Sequence, residues 1–215
     1  MLDLYGRRWN GRALRCDEYV ISADEKSQLQ ALRRIHPGQP TGPGQTRRVE
    51  FEYQRGGTLA YLAAYDVHQA HFLVGRCAPS TGIAPFGELV TEVMAREPYA
   101  SARRVFWVVD NGSSHSGAAS ITRLTDAFAN ATLVHLPVHA SWLNQVEIYF
   151  SVVGRKVVKP ADFTDLDQLE ARLLAFQDHH NEQAKPFGWR YTRGNLNDLI
   201  RRLDKRQDQS RPIAA

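Results

Sequence analysis

Three carboxylates carry the strongest chemical signal in this chain: Asp24, Asp110 and Glu147. Asp110 follows the apolar run Val105-Phe106-Trp107-Val108-Val109 and precedes the turn-forming Asn111-Gly112-Ser113-Ser114, so it reads as an acid at the mouth of a buried strand. Asp24 ends the strand-like Tyr19-Val20-Ile21-Ser22-Ala23. Glu147 lies within Trp142-Leu143-Asn144-Gln145-Val146-Glu147-Ile148-Tyr149-Phe150, predicted to be a helix that starts after Pro137 with Ser141 as its N-cap. Two strand ends and one helix can then meet at a single point. Acidic oxygens suit Mg²⁺, a hard cation that keeps several waters, and a pair of such ions stabilises both the attacking and the leaving oxygen of an in-line phosphoryl displacement.

Taken singly, each acid has an ordinary explanation. An Asp after a strand commonly forms a turn, and a Glu on an amphipathic helix is commonly solvated. Glu147 stands apart because helical spacing puts Val146, Tyr149, Phe150, Val153 and Val157 on an apolar stripe, while Asn144, Glu147 and Ser151 share another face.

The elements that must position these acids follow from the rest of the sequence. Residues 1–18 are polar and basic and read as a lead-in rather than a folded unit, followed by a first strand over residues 19–26. Pro37 to Gly44 is a turn-rich loop. Val49 to Tyr53 and Thr58 to Tyr65 alternate around Gly56-Gly57 and suggest a hairpin, with Val67 to Cys77 as a further strand. Helical spacing appears over Pro85 to Met94 and Ile121 to Phe128, and Thr132 to Leu136 is a short strand. Beyond Pro160, Thr164-Asp165-Leu166-Asp167 resembles a capping box opening one helix, and a last helix from Asn195 has Leu196, Leu199, Ile200 and Leu203 on one face. The division expected is a basic lead-in (1–18), a catalytic domain (19–160) and a C-terminal helical extension packed on it (161–215).

The 215 residues fit one compact domain, and 43% apolar content is enough for a core. Net charge is +4, with the excess gathered in clusters that include Arg47-Arg48 and Arg155-Lys156-Lys159. Basic clusters around a metal site are what a polyphosphate requires, because neutralising phosphates gives sequence-independent affinity. Cys16 and Cys77 are the two cysteines and form no CxxC, which argues against a zinc site or a disulfide framework. The N-terminus has no charged leader followed by an apolar segment, and no apolar run approaches membrane-spanning length, so the expected location is the cytoplasm.

Three motifs together resemble a known family: Ser22-Ala23-Asp24-Glu25-Lys26-Ser27-Gln28, Val108-Val109-Asp110-Asn111-Gly112-Ser113-Ser114-His115, and His139-Ala140-Ser141-Trp142-Leu143-Asn144-Gln145-Val146-Glu147. They are similar to the catalytic domain of bacterial insertion-sequence transposases of the mariner-like DDE superfamily. The likeness runs from about residue 18 to about residue 195 and takes in Pro186-Phe187-Gly188-Trp189. The resemblance implies a ribonuclease-H-like α/β fold, a mixed sheet flanked by helices. It also implies a triad of Asp24, Asp110 and Glu147 in which the two aspartates hold two Mg²⁺ (or Mn²⁺) ions together and Glu147 completes the shell of the second. Water would cut the element's end and the freed 3′-hydroxyl would attack target DNA, with TA as the family's usual target. Asn111, His115 and Asn144 match polar positions beside the triad and take orienting roles. The partners implied are double-stranded DNA and a second copy on that DNA, at the bacterial nucleoid. Family members carry helix-turn-helix domains before the catalytic domain, whereas Met1 here lies only a short lead-in ahead of the first strand, so end recognition is expected from a separate region.

Other readings start from the same residues. Ser113, Ser114 and His115 are adjacent in sequence but lack the G-x-S-x-G elbow of a serine hydrolase. A structure-specific nuclease on the same fold would use water as its only nucleophile. A DNA-binding remnant without catalysis is disfavoured because all three acids are intact. His68, His71, His135, His179 and His180 show no ligand spacing.

Overall fold

The computed structural model describes residues 1–209 except positions 37, 47, 49, 113, 116 and 160, and for 203–209 the backbone alone. Its centre is a five-stranded mixed sheet in the order β5-β4-β3-β6-β7, where β3 is Glu18–Arg34, β4 Tyr53–Asp66, β5 His71–Ala78, β6 Arg104–Val109 and β7 Ala131–His135. Strands β3, β6 and β7 run parallel, while β4 and β5 add antiparallel strands on the other side. Helices α2 (Ile83–Met94) and α3 (Gly117–Ala127) cover one face, and α4 (Val146–Val153) and α5 (Leu166–Glu182) lie on the other.

Strand alternation builds the two cores. On β3, Val20 packs towards α4 and α5 while Ile21 and Ala23 pack towards α2 and α3. Strand β6 divides in the same way, Phe106 and Val108 to one side and Val105, Trp107 and Val109 to the other, all fully buried. A strand covered on both faces reads as a continuous apolar run, which is why β6 is visible in the sequence. The β3–β4 register shifts between Lys26 and Leu29, where Ser27 and Gln28 stand against Ala60 alone and Gln28 adopts φ 55°. This bulge reverses the strand's parity, so odd-numbered Leu29 and Ala31 continue the face begun by even-numbered Val20.

Several sequence expectations need correction. The first strand does not stop near residue 26 but runs on to Arg34, so Asp24 sits inside β3. No hairpin turns at Gly56-Gly57, because both glycines lie within β4. A Cβ at Gly56 would approach Ala31 to 3.3 Å, and Gly57, at φ 103°, faces Leu166 at 3.2 Å. These glycines permit close packing, not a reversal. Val49, which the hairpin would have included, lies outside the described residues. The further strand begins at His71, and the cap of α5 is Asp165, whose carboxylate accepts the Gln168 N–H at 2.8 Å while Gln168 Oε1 accepts the Thr164 N–H at 2.8 Å. The last helix, α6, spans Arg193–Gln209, and Leu196 packs on the core; the side chain of Leu203 lies outside the description.

Helix α5 is locked to β5 and β4 by two polar side chains one turn apart. Asn181 exchanges two 2.9 Å hydrogen bonds with the Phe72 backbone, and Gln177 accepts from the Tyr61 hydroxyl at 2.8 Å. Gly75 is needed there, since a Cβ would stand 2.1 Å from Gln177 Oε1.

The lead-in is folded. It forms α1 (Leu2–Tyr5) and a small hairpin of β1 (Arg8–Trp9) and β2 (Arg12–Ala13), with Leu4 fully buried in the α4–α5 core and Trp9 packed 4.9 Å from Phe106. Among several arginines, one apolar turn is enough to dock the segment. Leu4→Ala is expected to lower the free energy of unfolding by about 2–5 kcal/mol in a urea titration. An unchanged midpoint would separate residues 1–18 from the folded unit.

Candidate active site

The parallel register between β3 and β6 brings the first two acids level. Ser22 lies opposite Val108, so two residues further along each strand Asp24 and Asp110 face one another at the end where β6 stops. Asn144 sets where the helix that carries Glu147 begins. The Asn144 carboxamide is fully buried and donates to the Ala23 carbonyl at 3.0 Å and to Asp24 Oδ2 at 3.2 Å, while its oxygen accepts from the Ser22 hydroxyl. Ser22 Oγ in turn accepts the Val146 N–H at 3.0 Å. The start of α4 is thereby stitched to β3, and Glu147, in the first turn, donates its N–H to the Asn144 carbonyl at 3.1 Å. Ser141 does not cap α4; a short 3₁₀ turn, Ser141–Leu143, precedes it, and the N-cap position is Gln145.

Asp110 is oriented from the other face of the sheet. Its Oδ1 accepts two hydrogen bonds of 2.6 Å, from the Gly112 N–H and from His115 Nε2. The Ser114 hydroxyl donates to Glu25 Oε1 at 2.7 Å and lies 3.1 Å from His115 Nδ1. A hydroxyl has one proton, so with that proton on the Glu25 side its oxygen accepts from His115 Nδ1. Both ring nitrogens are then placed to donate, an arrangement between Glu25 and Asp110 that favours the protonated imidazole. Burial works against that charge, but the hydrogen bond to Asp110 and the charges of Glu25, Asp110 and Asp24 outweigh it, leaving the His115 pKa raised. The same hydrogen bond is the largest reason that Asp110 is held below the usual carboxylate range. His135 Nε2 donates to the His115 carbonyl at 2.5 Å, and Asn111 donates to the Leu136 carbonyl at 2.7 Å, tying this loop to the end of β7.

The electrostatics are lopsided. Asp24, 5% exposed, is pushed up to about 8, first by burial and then by the charge of Asp110, with Glu25 and Glu147 adding to it. Glu147 is also raised, by burial, against the opposing pull of Lys26, and it too feels Asp110. Asp24, Glu25 and His115 place potential ligand atoms within 4.8 Å of one another, whereas among the described residues the sequence-predicted set of Asp24, Asp110 and Glu147 forms no group that close. His115 has both nitrogens engaged as donors, so the carboxylates are the groups left to hold a cation.

Glu25 and Ser114 belong to this site; from the sequence Ser114 is weighed only as part of a hydrolase arrangement, and Glu25 is given no role. Alternation sends Glu25 to the opposite face from Asp24, and the two faces meet only because β6 ends beside them. Of the basic residues, Arg48 is exposed in the β3–β4 loop, and Arg155, Lys156 and Lys159 are exposed on and just after the π-helical turn Gly154–Val158 that continues α4. Arg47 lies outside the described residues.

Residues 19–170 match the family model described as DDE superfamily endonuclease. The chain belongs to that family. No curated protein matches it. Among solved structures it is similar to the Mos1 mariner paired-end complex with Mn, at 14% identity and TM-score 0.57 over 76% of this chain and 49% of that one. The Mos1 strand transfer complex matches at 16% identity and TM-score 0.54 over 86% and 52%, and the Mos1 catalytic domain with raltegravir and Mg at 13% and 0.52 over 82% and 76%. The chain spans about half the length of the Mos1 chains in the first two. At these identities the likeness is one of fold, and the fold is the ribonuclease-H-like, helix-flanked mixed sheet that the sequence suggested. Among the described residues no helix is long and apolar enough to cross a membrane.

A carboxyl whose folded pKa is raised binds protons that the unfolded chain has already lost, so it weakens the fold increasingly between its unfolded value and about 8. Asp24→Asn is therefore expected to raise the thermal midpoint in EDTA, by an amount that grows from pH 4 to pH 8. A variant no more stable than the parent at pH 8 would show that Asp24 carries no such strain.

Proposed function

We propose that this chain is the catalytic part of a transposase that cuts DNA strands and transfers the freed 3′ end to new DNA, with Asp24, Asp110 and Glu147 as its triad. The observation that carries the reading is the Asp24 carboxyl, buried and under the charges of Asp110, Glu25 and Glu147, with the His115 imidazole already bonded to Asp110 and, through Ser114, to Glu25. Gathering like charges in a poorly solvated site is unfavourable unless a cation joins them. The donor set fits a hard dication, being all carboxylate oxygen, on strand β3, just past the end of β6 and in the first turn of α4. Two Mg²⁺ ions, or Mn²⁺ in their place, held by Asp24, Asp110 and Glu147, would supply charge stabilisation to the attacking and leaving oxygens of phosphoryl transfer.

The residues of the chain do the positioning. Gly112 and His115 hold Asp110 through its Oδ1. Asn144 fixes Asp24 against the first turn of α4, so that Glu147 arrives with it. Arg155, Lys156 and Lys159 lie just beyond the helix that carries Glu147, and with Arg47 and Arg48 they would supply cations for DNA phosphates.

Double-stranded DNA is the substrate class in this reading. Support comes from the family and from the Mos1 structures, which are described as paired-end and strand transfer complexes. The working form would pair two copies on DNA at the bacterial nucleoid, with end recognition supplied by a separate helix-turn-helix region. Asp110→Asn is expected to reduce Mg²⁺-dependent nicking of supercoiled DNA at least about a hundredfold, because the amide keeps the shape and loses the charge. Circular dichroism should be unchanged. Nicking at the parent's rate by the purified variant would place the activity elsewhere.

A further inference from the structure

Trp142 is an exposed indole in a fixed setting. It is 47% exposed on the 3₁₀ turn that leads into α4, yet the backbone around it is pinned. Leu143, its neighbour, is fully buried, and the Leu143 carbonyl accepts the Tyr5 hydroxyl at 3.0 Å. The ring of Tyr5 packs edge-on to Trp189 at 5.2 Å, the Trp189 indole N–H donates to the Tyr191 carbonyl at 2.9 Å, and Tyr191 packs edge-on to Trp142 at 5.0 Å and 85°. Four aromatic residues from the N-terminal helix, the 3₁₀ turn and the segment 183–192 thus close a ring that braces the indole. The contact with Tyr191 is edge-to-face, so at least one broad face of Trp142 remains open. An apolar surface with its ordering entropy already removed is suited to binding.

Its position says what it would bind. One residue, Leu143, separates Trp142 from Asn144, whose carboxamide touches Asp24, so the two Cα atoms are at most about 7 Å apart, roughly two steps along a DNA strand. Exposed Arg190 lies on the bracing segment and offers a cation for the intervening phosphates. Building on the reading of the acidic site as a DNA-cutting centre, we infer that Trp142 is a stacking platform for one unpaired base next to the scissile phosphate. A single indole face matches a single base, and stacking tolerates any sequence because every base has a π-face. A fully paired duplex keeps its interior bases stacked on one another, and a blunt end offers only the face of its terminal pair rather than a base free to leave the stack.

The test measures binding of the full chain to two DNAs of equal length, a blunt duplex and a duplex with a short unpaired 3′ end carrying 2-aminopurine. Parent, Trp142→Ala and Trp142→Phe are compared in Ca²⁺. The proposal expects Trp142→Ala to weaken binding of the unpaired end roughly tenfold and to leave the blunt duplex within about twofold. Trp142→Phe should retain most of the affinity, and the parent should quench 2-aminopurine where Trp142→Ala does not. Equal losses on both DNAs, or no loss on either, overturn it, as does a parent that self-associates through this face while Trp142→Ala becomes monomeric with unchanged DNA binding. Failure of the parent to bind either DNA would count against the DNA-cutting reading itself, whereas binding without discrimination by Trp142 removes only the platform.

Discussion

The parallel pairing of β3 with β6 is the constraint on which the rest depends. Ser22 opposite Val108 puts Asp24 level with Asp110, and the end of β6 at Val109 opens the place where they meet. A slip of one residue would send Asp24 to the α2–α3 face and bury Glu25 against α4. The buried Asn144 carboxamide guards against that slip, since it reads Ser22, Ala23 and Asp24 together and ties the start of α4 to them. One side chain therefore fixes both the register of the site and the approach of Glu147.

Two kinds of charge arrangement coexist a few ångströms apart. Around Asp110 the protein supplies its own cation in His115, braced by Glu25 through Ser114, and that carboxylate is held ionised. Around Asp24 and Glu147 it supplies little beyond Lys26, and both acids are pushed towards the neutral form. A fold selected for stability alone would have filled this gap with apolar groups or a paired base. Strain of this sort, kept within an otherwise well-packed core, marks a site whose balancing charge comes from outside.

What the sequence made legible were the parts with a single physical cause. Tyr19 to Ala23 and Val105 to Val109 read as strands because central parallel strands are apolar on both faces. The spacing of Phe86, Leu89, Val90 and Val93 gave α2 because one face of that helix is core. Legibility failed where a residue answers to two demands. Gly56 and Gly57 look like a turn, yet they stand inside β4 because Ala31 and Leu166 press against them. The polar half of β3, from Glu25 onward, pairs only with β4 once β6 has ended, and the bulge at Ser27-Gln28 breaks the alternation that would have revealed it. Leu4 and Tyr5 are two apolar residues in a basic stretch, and their burial is decided by α4 and α5 far along the chain. Glu25 escaped notice because its relevance comes from where a neighbouring strand stops.

The claim that the carboxylates at the mouth of β3 and β6 are a cation site is tested most directly by soaking crystals of the chain in Mn²⁺ and measuring the anomalous difference density. The account predicts peaks in contact with carboxylate oxygens of both Asp24 and Asp110, with Glu147 adjoining, and their loss in Asp110→Asn crystals. Well-ordered carboxylates without manganese, or peaks confined to other surface acids, would contradict it.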